Sequence, residues 1–268
     1  MSAPLPAWIT YLGRLGQFAK GLVYISIGLL AAEVAWAGHG QARGSRGAMR
    51  AIAEQPFGRA LLVVLIGGLI CYILWRLLEV FFDVEHRGRD AKGIALRARS
   101  LVVAFIYGGL TLGAIKTLLG ASSRGGGDGA ARDWTARAMA QPFGATLVVL
   151  IGAAIIAGGL YKIWRAYSGK FEKKLQLGEL SARARKWILR ICVFGLSARG
   201  VVFVIVGAFL FQAGLQSNPQ KARGLTGALE ALQTQPYGRW LFAIVGLGLA
   251  AYGIYSGVRG RYGRWESA

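Results

Sequence analysis

Apolar runs without a charged residue recur six times along the 268-residue chain, with polar segments between them. They cover residues 21–32, 60–75, 101–115, 143–161, 200–220 and 240–258. A helix crossing the hydrocarbon core of a bilayer needs about 20 mostly apolar residues. The shorter runs reach that length once flanking small and snorkelling side chains are added. The pattern predicts an all-α, polytopic membrane protein with six transmembrane helices.

Three of the polar segments end in one tetrapeptide: Gln55-Pro56-Phe57-Gly58, Gln141-Pro142-Phe143-Gly144 and Gln235-Pro236-Tyr237-Gly238. Aligning these copies brings the preceding helices into register as well. Ala19-Lys20-Gly21 then falls on Ala98-Arg99-Ser100 and on Ala198-Arg199-Gly200. Self-similarity at a fixed period marks a repeat architecture. Here the period is about 85 to 95 residues and holds two apolar runs. The chain divides into three two-helix repeats, 1–90, 91–170 and 171–268. An even number of spans per repeat gives every repeat the same orientation, so the repeats are parallel about an axis along the membrane normal. Three helical hairpins with pseudo-threefold symmetry are expected.

Composition agrees with this class. Only 16% of residues are charged, against roughly 25% in soluble domains. A net charge of +20 would suggest nucleic acid in a soluble protein, but Lys and Arg also collect in the cytoplasmic loops of membrane proteins. We expect no nucleic-acid partner. The expected partners are the lipid bilayer, anionic lipids at the cytoplasmic loops, and a membrane-protein partner or second copy of the chain. The N-terminal segment, the loops around 76–99 and 162–199 and the C-terminal tail carry 21 of the 32 bases. The positive-inside rule places both termini in the cytoplasm and the three proline loops outside.

Within those outer loops, Ser45 to Gln55 and Thr226 to Gln235 each read as a short amphipathic helix. Ala48, Met49 and Ile52 share one face, as do Ala228, Leu229 and Leu232, and this predicts helices lying in the outer interface. Pro56, Pro142 and Pro236 end these helices and open the next span. Gly58, Gly144 and Gly238 permit a sharp turn, and the aromatic sits at headgroup depth. Gln55, Gln141 and Gln235 complete a motif explained by geometry. The tract from Arg124 to Gly129 reads as flexible linker.

The repeated Ala-(Lys/Arg)-Gly and Gln-Pro-(Phe/Tyr)-Gly pattern resembles the bacterial membrane family called domain of unknown function 1206, from about Leu12 to Tyr255. The middle repeat departs from it: Ser100 replaces Gly, and Ala145 replaces the Arg found at Arg59 and Arg239. The resemblance implies three tandem two-helix units in a bacterial cytoplasmic membrane and carries no activity, cofactor or catalytic residue.

Charges inside spans are costly, so each is a functional candidate. Glu33 lies in the first span, and Gln212 occupies the equivalent place in the third repeat, with Leu112 in the second. Glu33 and Gln212 are the candidate polar site between hairpins. The competing reading has Glu33 reaching the outer headgroups. Lys116, Arg76, Lys162 and Arg165 read as boundary anchors, with Glu79 pairing with Arg76 along one helix face. Cys71 and Cys192 read as small core hydrophobes. His39 and His86 are isolated, so no metal or cofactor is expected. Paired small residues, among them Gly67-Gly68, Gly108-Gly109 and Gly158-Gly159, would let helices approach closely. The enzyme signatures are absent. Two function classes remain: a small permease or channel-like protein resting on Glu33 and Gln212, and a scaffold or accessory subunit binding membrane proteins or lipid. An intramembrane enzyme stands third.

Overall fold

The computed structural model describes residues 7–37, 44–81, 91–120, 128–172, 175–178 and 180–263. Among them, six long helices are apolar enough to cross a membrane. These are α1 (Ala7–Ala37), α3 (Gly58–Phe81), α4 (Ala91–Leu118), α6 (Gly144–Tyr167), α7 (Ala182–Leu215) and α9 (Gly238–Tyr262). Between the two long helices of each repeat lies a short one: α2 (Ser45–Ala53), α5 (Gly129–Met139) or α8 (Leu225–Gln233). The protein is thus a six-span helical membrane protein of three parallel repeats.

The first helix of each repeat begins well before its charge-free run. α1 starts at Ala7 and α7 at Ala182, so Lys20 and Arg199 are mid-helix rather than loop residues. At 1.5 Å per residue, Lys20 lies roughly 20 Å into α1.

In packing, the second helix of each repeat meets the first helix of the next: α3 on α4, α6 on α7 and α9 on α1. Within repeats, α1 packs on α3 and α7 on α9. Neighbours therefore follow the order α4, α3, α1, α9, α7, α6. The row curls, because Tyr107 of α4 and Val202 of α7 join one core with Val23, Ile27, Leu69 and Leu249. It does not close. Among the described residues, α4 and α6 of the middle repeat form no extensive interface with each other.

The proline motif folds identically three times. The Gly58, Gly144 and Gly238 amides donate to the Gln55, Gln141 and Gln235 carbonyls at 2.8, 2.9 and 2.7 Å. The left-handed residue is the aromatic, with φ of 61°, 59° and 60° at Phe57, Phe143 and Tyr237. The glycine is needed for a different reason from the sharp turn expected. A Cβ on Gly58 would stand 2.2 Å from the Ile52 carbonyl oxygen, and Gly144 and Gly238 are equally crowded. Each proline sits in the turn before the helix, not in its first turn. The aromatics project outward and are exposed.

The faces expected on α2 and α8 are apolar, but they cap the bundle instead of floating in the interface. Ala48, Met49, Ala228 and Leu229 are fully buried in the main core. The N-cap residues of α2 and α8 are Gly44 and Gly224, which have no side chain of their own to cap with. The three motif loops interlock at one end of the bundle. Gly44 lies against Thr226, and the Asp128 carboxylate accepts from the Gly224 amide at 3.0 Å. Residues 121–127 of the expected linker lie outside the described residues, but Asp128 is buried and caps α8 across a repeat boundary. The sequence reading missed that role and α5 itself.

Candidate functional site

Glu33 and Gln212 are not buried between hairpins. Glu33 is exposed on the stripe of α1 that also carries Leu15, Phe18, Leu22, Leu29 and Trp36. Gln212 is exposed on the corresponding stripe of α7, with Phe194, Val201 and Leu215. Large apolar side chains left this exposed along one stripe mark a lipid-facing surface. Both polar residues lie near the helix ends that lead toward the proline-motif loops, Ala37 and Leu215. Lacking helical-face information for α1, the sequence reading took intramembrane position for inward orientation. The equivalent Leu112 is likewise exposed.

The buried polar chemistry sits elsewhere, at the repeated small-base-small triplet. Lys20 is 2% exposed and donates to Gln17 Oε1 at 2.6 Å. Its ammonium lies 5.1 Å from the Tyr72 ring centroid and 5.6 Å from that of Tyr252. Arg199, its repeat equivalent, is ringed by aromatics: Tyr252 at 4.2 Å, and Tyr24 and Phe203 at 5.1 Å each. Its guanidinium donates to the Tyr252 hydroxyl. Arg199, Arg259 and Arg76 all lie within electrostatic reach of Lys20. The third member of the triplet, Arg99, has no described side chain.

One carboxylate, Glu79, enters this cluster, and it is committed elsewhere. Arg76 donates to Glu79 Oε2 at 2.6 Å, the Ser100 hydroxyl at 2.8 Å, and the Trp75 indole to Oε1 at 2.9 Å. The expected Arg76–Glu79 pair forms, and Glu79, 1% exposed, also ties α3 to Ser100 of α4. Neither Lys20 nor Arg199 forms an ion pair with a carboxylate among the described residues. Removing a charge from water costs several kcal/mol, while a desolvated cation–π contact returns about 2 kcal/mol. The cations therefore remain under-compensated.

Unmade hydrogen bonds point the same way. Gln17 Nε2, Arg199 Nε and Ser256 Oγ are buried with no partner among the described residues. Gln17 is bonded to Lys20, and Ser256 lies beside Gly21, next in sequence to Lys20. Each of the three can donate. A buried donor left unsatisfied costs about 1–3 kcal/mol, so the site suits an acceptor-only, negatively charged group. The repeated base carried a signal that sequence reading used only for alignment. Lys20 and Arg199, bases flanked by small residues at equivalent positions, become interior charges once the helices are known to run through them.

Other candidates carry less. A cavity of about 320 Å³ at the end opposite the proline loops is lined by Glu172, Leu175, Gln176, Leu177, Gly178 and Arg185, but Glu172 and Arg185 lie 3.7 Å apart and answer each other's charge. Cys192 is buried and Cys71 half-buried. No cluster of three metal-ligating residues occurs among the described residues, and His39 and His86 lie outside them.

Three stretches of the chain, 15–83, 99–169 and 194–263, match the family model described as Domain of Unknown Function (DUF1206). The chain belongs to the DUF1206 family. Each match opens near the small-base-small triplet and runs through the second long helix of a repeat. The chain is also similar to the "Uncharacterized protein YxxB" of Bacillus subtilis (strain 168), 33% identical over 267 residues, covering 97% of this chain and 94% of that protein. No solved structure matches.

Proposed function

We propose that this DUF1206 protein is a non-enzymatic, anion-binding accessory protein of the bacterial cytoplasmic membrane. The carrying observation is the under-compensated pair Lys20 and Arg199, with Gln17, Arg199 and Ser256 donors unmade beside them. An anionic group seated there would accept charge-assisted hydrogen bonds, each worth about 1.5–3 kcal/mol. The base asymmetry between loop sets supports termini on the cytoplasmic side.

The permease or channel reading has lost the residues it rested on, since Glu33 and Gln212 face outward. Toward the proline-loop end, the interior is filled by Ile27, Leu62, Leu65, Leu229 and Leu249, and α2 and α8 cap it. That packing favours a binding site closed on one side over a pathway through the bundle.

The test is thermal unfolding of the detergent-solubilised protein, read by tryptophan fluorescence, with and without sodium phosphate at fixed ionic strength. Phosphate should raise Tm of the parent and leave that of Lys20→Gln/Arg199→Gln unchanged. Equal shifts in both, or none in the parent, would refute a specific anion site.

A further inference from the structure

The interior of the bundle has a wall, and in the middle repeat one side of it is missing. Tyr72 of α3 and Tyr252 of α9 cover Lys20, and both are buried. The equivalent position on α6, fourteen residues after Gly144 as Tyr72 is after Gly58, is Gly158. A Cβ there would meet nothing within 4 Å. One turn earlier, Leu69 and Leu249 are 0% exposed, whereas their equivalent Ile155 is half-exposed. The first helices agree. Ala19 and Ala198 are buried against Gly68 and Gly248, while Ala98 and Ala154, which should make the same contact, are both exposed.

This gap leads toward the cationic site. Lys162, one turn beyond Gly158, has its ammonium 4.3 Å from the Phe203 ring. Arg199 lies against the same ring, at 5.1 Å. The flanks of the gap are apolar: Val102 and Ile106 on α4 and Ile151 on α6 are exposed, whereas their equivalents Val23, Ile27, Leu65 and Val245 are buried. Lys20 and Arg199 each lie sixteen residues from their helix's far landmark, Trp36 and Leu215, or about 24 Å. With a hydrocarbon core about 30 Å thick, that depth falls near the headgroup boundary on the side of the inter-repeat loops.

We propose that the gap between α4 and α6 is a lateral opening through which one anionic phospholipid of that leaflet inserts. Its acyl chains lie along α4 and α6, and its phosphate reaches Lys20 and Arg199. The inference rests on the anion-binding reading and names its ligand. Charge complementarity selects the headgroup, and the aliphatic rim selects a ligand with chains over a free solute. Gly158 is the specificity-determining position, because a tyrosine there would restore the threefold wall.

The test is native mass spectrometry of detergent-solubilised protein titrated with phosphatidylglycerol or phosphatidylcholine of equal chain length. The parent should retain one phosphatidylglycerol at least tenfold more strongly than phosphatidylcholine. Gly158→Tyr should lose that preference while keeping parental helicity and Tm, since its Cβ has free space. Gly108→Tyr on the outer face of α4, where a Cβ also meets nothing, should keep it. Should Gly158→Tyr unfold, Gly158→Val serves with the same expectation. Equal retention of the two lipids, or a phosphatidylglycerol preference untouched at Gly158, overturns the proposal. Phosphate stabilisation without lipid preference would sink the lateral opening and leave the anion site standing. Absence of both would sink the two together.

Discussion

The α1–α9 and α6–α7 interfaces are built from glycine, and the α3–α4 interface, their threefold equivalent, is not. Gly21 and Gly28 of α1 face Gly253 and Gly246 of α9, so close that a Cβ on Gly28 would stand 2.5 Å from the Gly246 carbonyl oxygen. Gly200 and Gly207 of α7 face Gly159 and Gly152 of α6 in the same way. At the third interface those positions hold Ser100, Tyr107, Ile73 and Ile66. There the helices are joined by the Ser100–Glu79 hydrogen bond and by Tyr107 edge-on to Tyr72 at 4.7 Å. Small residues let backbones meet and gain dispersion along their length; a few polar contacts between bulky residues hold a helix at a distance. The sequence that departs from the family pattern is thus the part that leaves the bundle open, and α4 is held by α3 and α2 with no extensive interface to α6.

The largest expected effect breaks a glycine interface. Gly28→Leu or Gly207→Leu should destabilise by about 3 kcal/mol or more through overpacking, seen as a lower Tm in detergent, whereas Gly108→Leu should be silent. Loss of that contrast would mean the two kinds of interface are not different. Glu79→Ala leaves Arg76 buried without its partner and detaches Ser100, so it should cost about 3 kcal/mol. Hydrogen exchange should then rise in α4 before α1 or α9; uniform acceleration would argue that Glu79 does not act on the α3–α4 contact.

Smaller changes sharpen the picture of the site. Lys20→Met removes an under-compensated buried cation and should stabilise lipid-free protein by about 1–2 kcal/mol, an unusual sign for a core substitution. A Tm decrease would show that Lys20 is structural. Asp128→Ala removes the cross-repeat cap on α8 and should cost about 1 kcal/mol. Glu33→Gln and Gln212→Leu, on lipid-facing stripes, should both stay within about 0.5 kcal/mol of the parent.

The repeat and the six spans were legible in the sequence because hydrophobic length and the Gln-Pro-aromatic-Gly copies are local, one-dimensional signals. The buried face of α2 was legible from Ala48, Met49 and Ile52 at helical spacing, though what covers it was not. The site was misread at Glu33 for a physical reason. A long apolar helix in a membrane is hydrophobic all round, so its pattern does not distinguish the lipid-facing stripe from the core. Lys20 was overlooked because a charge was assumed to end a span, when α1 carries it inside. The open seam depended on comparing Gly158 with Tyr72 and Tyr252, and a missing side chain gains meaning only when the wall around it is known.

Disulfide trapping tests the open seam most directly. In a background with Cys71 and Cys192 replaced by Ala, three cysteine pairs occupy one threefold-equivalent contact: Ala19/Gly68, Ala98/Ala154 and Ala198/Gly248. A disulfide needs Cβ atoms about 3.8 Å apart; a Cβ on Gly68 or Gly248 would stand 2.5 or 2.2 Å from that of Ala19 or Ala198, so a small separation of the helices brings the first and third pairs into range. We expect mild oxidation to cross-link the first and third pairs within minutes and to leave the middle pair free and alkylatable. Equal cross-linking of Ala98→Cys/Ala154→Cys would show a closed ring and contradict the open middle repeat.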